Sequence, residues 1–339
     1  MNTEVNEIID FYRKADTRTL LARADDVCRK VHGDHVFVRG LIEFSNFCNM
    51  DCLYCGIRNG NGKVNRYRLT EEQILAVIKE SVSKGLKTFV LQSGEDPVFT
   101  AERLCSLICR IREEVGADIA LTLSCGIMTR KEFKALKSAG VNRYLMRFET
   151  SDHELHQQLR AGVTLERRLQ AIKDLRDEGF ETGSGYMVGL PGETEEIRIN
   201  NALLCRELAL DMIGIGPFIP HPDTPLNGAH KHGLELTLRA VALVRLLLPE
   251  SNIPATTAAG SIDDNGREAV LNAGANVLMP NMTPVAHKKD YLLYPGKICL
   301  DEDGLACIGC LKGRVGSIGK KIVLERGDSI SFKRRAGNV

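Results

Sequence analysis

The chain of 339 residues contains no tryptophan, and aromatic residues make up only 5% of it. Neither sign of charge dominates, because 45 lysines and arginines are matched by 44 acidic residues. This balance gives no indication of a nucleic-acid or polyanion partner. No apolar run reaches membrane-spanning length, and the N-terminus, MNTEVNEIIDFYRKADTRTL, has no signal-peptide core. We therefore expect a soluble, cytoplasmic protein.

Cysteine is the unusual component, with eleven residues in a chain whose hydrophobic content of 43% is sufficient for a substantial core. Disulfides are rare in the cytoplasm, so these cysteines indicate metal chemistry. Most fall into two groups of three. The scattered ones are expected to be buried thiols that behave as small core residues, and they are Cys28, Cys105, Cys109, Cys125 and Cys205.

The first group, Cys48, Cys52 and Cys55, has C-x3-C-x2-C spacing in the stretch SNFCNMDCLYCGI. Three thiolates in one short loop can hold three irons of a [4Fe-4S] cluster and leave the fourth iron without a local ligand. That iron could bind a substrate. A zinc site is the alternative, but structural zinc sites usually have four Cys or His ligands in two pairs, and no second pair lies nearby in the sequence.

The second group, Cys299, Cys307 and Cys310, has C-x7-C-x2-C spacing in KICLDEDGLACIGC. A second iron–sulfur cluster, [2Fe-2S] or [4Fe-4S], is the functional hypothesis. Three reduced thiols without metal remain an alternative. So does a zinc site completed by His287.

Strand and helix patterns alternate from residue 35 onward. Strands are predicted at residues 35–44, 87–92, 118–124, 143–149, 181–188, 211–218, 253–257 and 275–279. Helical patterns occupy the intervals between them. Such alternation requires parallel pairing with right-handed crossovers, and eight repeats predict an α/β fold, a complete (β/α)8 TIM-type barrel. An open doubly wound sheet is the competing architecture.

Polar residues at the predicted strand ends favour the closed barrel, because its strand ends converge on one mouth. They are Glu43, Ser93, Glu95, Ser124, Arg147, Glu149, Thr256, Thr257 and Asn281. Two short helical patterns precede the barrel, with Asp16 or Thr17 as an N-cap between them. We predict an N-terminal helical cap (1–34), the barrel (35–285), and a C-terminal segment (286–339) that carries the second cysteine group and closes the barrel.

Several stretches together resemble the radical S-adenosylmethionine (SAM) superfamily, in its biotin-synthase-like branch, and within that branch the HydE family of [FeFe]-hydrogenase maturases. They include IEFSNFCNMDCLYCGIR, VLQSGEDP, ETGSGYMVGLPGET, GIGPFIPHPDTPL and NIPATTA. The resemblance implies that SAM binds the open iron and that one electron from the cluster yields a 5'-deoxyadenosyl radical. The protein would orient the cofactor and exclude water.

The SAM-binding residues implied by the resemblance are Tyr54, Gly94, Glu95, Ser124, Glu149 and Arg168. Tyr54 would lie against the adenine, Gly94 and Glu95 near the methionyl ammonium, and Arg168 at the carboxylate. Glycine suits a position where backbone approaches a ligand closely. From the residues alone, Tyr54 could instead pack the loop, SGEDP could be an ordinary turn, and Arg168 could be an exposed helical residue.

The substrate-pocket residues implied by the resemblance are Arg147, Met212, Thr256, Thr257, Met279, Tyr291 and Tyr294. Threonine hydroxyls can donate hydrogen bonds to a cyanide nitrogen or a carboxylate, and Arg147 can hold an anion. Both methionines could instead be core residues. Adjacent Thr256 and Thr257 point to opposite faces of a strand, so both enter the lumen only if the strand ends there.

The resemblance implies a role in assembly of the hydrogenase H-cluster. The substrate would be an iron complex with cysteine, carbon monoxide and cyanide, made by the maturase HydG. The product would pass to the maturase HydF, and a reducing donor would supply electrons.

Other functions remain open. A methylornithine synthase-like enzyme would share the barrel and the SAM site. Biotin synthase is disfavoured, because it needs three further cysteines and an arginine on barrel strands, where only Cys125 offers a thiol. An iron–sulfur carrier would need neither SGED nor the polar strand ends.

Overall fold

A computed structural model describes residues 3–160 and 162–337. Its strands are short and mostly buried, and every pairing between them is parallel. They are β1 (His35–Val38), β2 (Gly40–Ser45), β3 (Thr88–Ser93), β4 (Ala120–Ser124), β5 (Arg143–Leu145), β6 (Glu181–Val188), β7 (Met212–Pro217), β8 (Pro254–Ala255), β9 (Val277–Leu278) and β10 (Lys321–Val323).

The strands form two sheets that join at both edges. One has the order β2-β3-β4-β5-β6-β7 and the other the order β10-β1-β9-β8. Only Arg39 separates β1 from β2, so these two strands occupy one position, and a bridge from Leu41 to Asn281 continues the pairing with β9. At the other edge a bridge from Met212 to Asn252 joins β7 to the start of β8. The eight positions therefore form a ring, which confirms the predicted barrel.

Helices cover the outside of this ring. They are α1 (Thr3–Lys14), α2 (Thr17–His32), α3 (Glu71–Ser83), α4 (Ala101–Val115), α5 (Arg130–Ala139), α6 (His153–Leu159), α7 (Leu165–Asp177), α8 (Glu195–Glu207), α9 (Glu235–Leu247), α10 (Thr257–Gly260), α11 (Gly266–Asn272), α12 (Val285–Lys288), α13 (Gly304–Ser317) and α14 (Ile330–Arg335). None of them is long and apolar enough to cross a bilayer.

A threonine caps the N-terminus of many helices that follow a strand. The side chains of Thr70, Thr100, Thr129, Thr164 and Thr194 each accept a backbone N–H from the first turn of α3, α4, α5, α7 and α8. Such a cap stabilises a helix by about 0.5–2 kcal/mol. Four of these caps fix the end of a loop that leaves the carboxyl end of a strand, and the cap at Thr164 fixes the turn between α6 and α7.

The terminal segments contact the barrel at different places. Asp16 caps α2 as predicted, accepting from the backbone N–H of Thr19 at 2.9 Å. Helices α1 and α2 pack against α9 on the outer wall, where Arg239 donates to the Ala15 carbonyl at 3.2 Å. At the far end, β10 pairs with β1, and the Gly327 carbonyl accepts from Asn252 at 2.9 Å beneath the barrel. The domain limits at residues 34 and 285 stay predictions.

Candidate active site

A cavity of about 310 Å³ opens at the carboxyl ends of the barrel strands. Its volume lies at the lower end of the range of about 300–1,000 Å³ for ligand pockets. The structure brings most of the predicted site residues to its wall, namely Cys48, Cys52, Tyr54, Cys55, Gly94, Glu95, Ser124, Arg147, Glu149, Arg168, Thr256, Thr257, Met279, Tyr291 and Tyr294. The residues come from loops and strand ends on all sides of the barrel, so the closed fold is what assembles the site.

The first cysteine group lies in the loop between β2 and α3 and interlocks with the SGED loop after β3. The sulfur of Cys48 accepts backbone N–H groups from Met50 and Glu95, each at 3.4 Å. Asn49 donates its backbone N–H to the Glu95 carbonyl at 3.0 Å. A Cβ on Gly94 would lie 2.2 Å from the Phe47 carbonyl oxygen, so only glycine permits this approach.

These three thiols fit an iron–sulfur cluster better than a single ion. Within residues 3–160 and 162–337, these three sulfurs do not all lie within 4.8 Å of one another. They are therefore spaced too widely to bind one ion together. Backbone N–H groups aimed at a cysteine sulfur are a typical feature around such clusters. Burial raises the pKa of Cys55 to about 12. A bound metal centre would reverse this, because its positive charge favours the thiolate.

Glu95 lies between two buried arginines. Its Oε1 is 3.3 Å from Nη2 of Arg160 and 3.4 Å from Nη1 of Arg168. Both arginines are almost inaccessible, with 6% and 4% exposure. Arg160 also donates to the hydroxyl of Tyr54 at 2.9 Å. Burial, and then the positive charge of Arg160, lower the pKa of Arg168. Glu149 also acts electrostatically on both guanidinium groups. Together with Arg147, three guanidinium groups on this side of the cavity face two carboxylates, Glu95 and Glu149, so positive charge is left for an anionic ligand group.

Glu149 is strained, because it is a non-glycine residue with a φ of 71°. Its Oε1 lies 3.2 Å from Nε of Arg147. Its Oε2 is buried and has no hydrogen-bond partner in the described part of the chain. Arg168 stabilises this turn by donating from Nε to the Arg147 carbonyl at 3.0 Å. Backbone strain of this kind concentrates at functional sites, where the surrounding contacts maintain it.

A buried ion pair closes the opposite side of the cavity. Nζ of Lys297 lies 2.6 and 2.7 Å from the two carboxylate oxygens of Glu43, and it donates to the Tyr291 carbonyl at 3.0 Å. Asn281 donates to the same carboxylate at 2.8 Å. Gln92 donates to the Tyr291 hydroxyl at 3.2 Å. The segment that carries both predicted pocket tyrosines is thereby fixed to the end of β2.

The two adjacent threonines both reach the cavity because β8 ends at Ala255. Thr256 is then the N-cap residue of α10, and Thr257 its first residue. Met212, by contrast, does not line this cavity. It is the first residue of β7, at the opposite end of the strand from the mouth, and Arg39 donates to its sulfur at 2.8 Å. The resemblance implies a pocket position for Met212, whereas its place at the start of β7 keeps it away from this cavity.

Two of the charged cavity residues, Arg160 and Lys297, were missed from the sequence. Arg160 follows the short helix α6, for which no separate helix was predicted. Lys297 lies in a loop without periodicity, and its partner Glu43 is 254 residues away. A lysine just after the two predicted pocket tyrosines was the one available signal.

The second cysteine group is assembled differently. Cys299, Glu302 and Cys307 have ligand atoms within 4.8 Å of one another. Cys310 is exposed, three residues after Cys307 on α13. The alternative ligand His287 instead stacks on Tyr67, with ring centroids 4.6 Å apart. The three ligand atoms are close enough together to bind a single ion. A second cluster stays a prediction.

Comparison with known proteins gives a consistent result. The family model described as the Radical SAM superfamily matches residues 42–205. The [FeFe] hydrogenase maturase subunit HydE of Thermotoga maritima is 45% identical over 317 residues, which cover 94% of this chain and 90% of that protein. The 3-methylornithine synthase of Methanosarcina barkeri is 30% identical, over 82% of this chain and 83% of that protein.

Among solved structures, methylornithine synthase (PylB) superposes with a TM-score of 0.81 at 26% identity. The match covers 94% of each chain. The strand and helix order of the barrel is therefore shared with an enzyme whose name indicates an amino-acid product.

Proposed function

The chain belongs to the HydE family of radical SAM enzymes, and from this premise we propose that it acts in assembly of the [FeFe]-hydrogenase H-cluster. Its substrate would be a small complex of iron with cysteine, carbon monoxide and cyanide. The observation that carries the proposal is a continuous cavity. The same cavity contains both the cysteine group and a wall formed by Arg147, Thr256 and Thr257.

The chain's residues fit the cofactors of the family. Cys48, Cys52 and Cys55 would hold a [4Fe-4S] cluster, and the cluster with SAM supplies the 5'-deoxyadenosyl radical when both are bound. Glu95 can accept hydrogen bonds from the methionyl ammonium of SAM. The guanidinium of Arg168 can hold the methionyl carboxylate.

Other residues on the same side would bind the rest of SAM. Tyr54 would lie against the adenine, with its hydroxyl oriented by Arg160. The unpartnered oxygen of Glu149 is suited to accept a hydroxyl donor. Ser124 lines the same space. Together these side chains would orient SAM and exclude water from the position of the radical.

The substrate side of the cavity is suited to an anion. Arg147 supplies a guanidinium, and the hydroxyls of Thr256 and Thr257 can donate to a cyanide nitrogen or to a carboxylate. Met279, Tyr291 and Tyr294 complete this wall with apolar and aromatic surface. Burial raises the pKa of Tyr294 above its ordinary value, so its hydroxyl stays protonated and can donate.

The partners follow from the same proposal. HydG would supply the iron complex, HydF would receive the product, and a low-potential reductant would deliver electrons to the cluster. A second candidate is an amino-acid substrate, favoured by the superposition on methylornithine synthase. The cavity wall that would hold the complex could also hold an amino-acid carboxylate.

An anaerobic maturation assay tests the proposal. Purified apo-hydrogenase is incubated with HydG, HydF, SAM and dithionite, with and without the reconstituted protein. We expect hydrogenase activity to fall at least about tenfold when the protein is left out, or when Arg147→Gln replaces wild type. A matched control is Arg130→Gln, which alters an exposed arginine on α5. Equal activity in all samples, together with consumption of a free amino acid, would favour the second candidate.

A further inference from the structure

The inner face of β7 carries no side chains towards the mouth of the barrel. Ile213 and Ile215 are fully buried in the hydrophobic core, and the alternate positions, which face the interior, are Met212, Gly214 and Gly216. Gly214 and Gly216 line the cavity, whereas Met212 does not. A wall that begins with a long side chain therefore continues with two positions that have none.

These glycines are not required by the backbone. Among the described residues, Gly185 on β6 has a φ of 148°, and a Cβ there would lie 2.0 Å from the Gly214 carbonyl oxygen. Gly185 is therefore needed for strand packing. Gly214 and Gly216 have no left-handed φ, and a Cβ on either would meet its nearest atom at 3.6 and 3.4 Å respectively, which is ordinary contact. What glycine provides at these two positions is space.

The space at Gly216 lies between two hydrogen-bond donors. A Cβ on Gly216 would lie 3.4 Å from Oγ1 of Thr256 and 3.9 Å from Nη1 of Arg147. Oγ1 of Thr256 is buried and has no hydrogen-bond partner within the described ranges. A buried hydroxyl without a partner is unfavourable, so a ligand that accepts its hydrogen bond would be stabilised there.

We propose that Gly216 determines substrate specificity by leaving a slot for a carboxylate beside Thr256 and Arg147. This inference rests on the proposed function, because it takes the same cavity to be the substrate site. Nε of Arg147 is paired with Glu149, but Nη1 of the same guanidinium lies beside the slot, opposite the Thr256 hydroxyl. Both groups can donate, so the slot selects an anionic acceptor group. In the proposed substrate, that group is the carboxylate of the cysteine ligand. Gly216 contributes no chemical group, and its role is to admit the ligand.

Gly216→Ala tests the slot without straining the protein. The added methyl group would occupy the space in front of the threonine hydroxyl while clashing with no backbone atom. The matched control is Gly233→Ala, at a position with no left-handed φ and no atom within 4 Å of the added Cβ. Melting temperatures by circular dichroism establish that both variants are folded.

Two measurements separate the slot from the SAM site. The affinity for SAM, by equilibrium dialysis of the reconstituted protein, is expected to stay within about twofold of wild type in both variants. The affinity for L-cysteine, by calorimetry in the presence of SAM, is expected to fall at least about tenfold in Gly216→Ala and to be unchanged in Gly233→Ala. Wild-type affinity for L-cysteine in Gly216→Ala would overturn the inference. So would an absence of L-cysteine binding by the wild type.

The same variants distinguish this inference from the proposed function. If wild type does not process the iron complex but Gly216→Ala still weakens L-cysteine binding, the slot is supported and the proposed substrate is wrong. If Gly216→Ala processes the complex at the wild-type rate, the slot is overturned and the proposed function stands.

Discussion

Both cysteine groups end in a C-x2-C pair, but their surroundings are very different. Cys48, Cys52 and Cys55 line a cavity together with three arginines and three carboxylates from distant parts of the chain. Cys299 and Cys307 lie in the C-terminal segment beside Glu302, outside that cavity. Cysteine spacing therefore indicates where a metal can bind. The charged residues that other strands bring to the metal decide whether a reaction can follow.

The two groups also differ in the space between their ligands. The second group includes a trio of ligand atoms within 4.8 Å, whereas the first does not within residues 3–160 and 162–337. Cys310 is exposed and is not part of that trio. The proposed chemistry uses the first group, and the predicted second cluster would occupy the other.

The largest expected difference concerns SAM cleavage. Cys52→Ala should abolish formation of 5'-deoxyadenosine under dithionite, because a cluster cannot be retained on two cysteines of this loop. The matched control is Cys109→Ala, which should cleave SAM at the wild-type rate. Cys109 on α4 is exposed and Cys105 is only partly buried, so the expectation that these two are buried core thiols is wrong. Product is measured by liquid chromatography and iron by colorimetric assay. Undiminished cleavage by Cys52→Ala would remove the radical SAM assignment of this loop.

The next largest effect concerns the buried ion pair that joins the segment before the second cysteine group to the strand before the first. Lys297, two residues before Cys299, forms an ion pair with Glu43 in which the side chains are 6% and 2% exposed. Lys297→Met leaves a buried carboxylate without its partner, which should reduce the free energy of unfolding by about 3–5 kcal/mol. Denaturant titration measures this loss.

The matched variant is Glu43→Gln combined with Lys297→Met, which removes both charges. It should be more stable than Lys297→Met alone, because no unpaired charge is then buried. If the double variant is as unstable as the sum of the two single variants, the pair does not act as a unit. The 291–297 segment would then be held mainly by other contacts.

A smaller loss, of SAM affinity, is expected from substitution of Arg160, which lines the cavity of the first cysteine group. Arg160→Gln removes the charged hydrogen bonds that orient Tyr54 and Glu95. If the lost orientation costs SAM binding the energy of one such bond, about 1.5–3 kcal/mol, the affinity for SAM should fall about 10- to 100-fold. In the Arg160→Gln background, Tyr54→Phe should have no further effect on SAM affinity. An additive loss would show that Arg160 does not act through the Tyr54 hydroxyl.

Most of the barrel could be predicted from the sequence, because its strands and helices follow one another with regular periodicity. The strand at 181–188 has the predicted limits, and helices α4 and α5 lie in the intervals where helical patterns were expected. The strand predicted over 143–149 is regular only over Arg143–Leu145, and the left-handed backbone of Glu149 lies at the end of the irregular remainder. Helices α6 and α13 and strand β10 were missed, because the sequence there lacks a clear repeat.

The candidate site was predictable where a residue follows a strand and less so where contacts are distant. Thr256 and Thr257 were expected at a strand end, and both line the cavity. Lys297 could not be paired with Glu43 from local spacing, since their contact depends on closure of the whole ring. The family resemblance implies a pocket position for Met212, but this residue begins β7, and its height in the barrel depends on strand stagger.

The smallest expected effect belongs to the second cysteine group and compares two of its own members. Cys307→Ser removes a buried thiol close to Cys299 and Glu302, so it should release any metal at this site. Cys310→Ser changes an exposed thiol outside that trio and should leave the metal content unchanged if a single ion binds there. SAM cleavage should stay within about twofold of wild type in both variants, because neither residue lines the cavity. Equal loss of metal from both variants would instead support a cluster held by all three cysteines, and loss of SAM cleavage would show that the two groups are coupled.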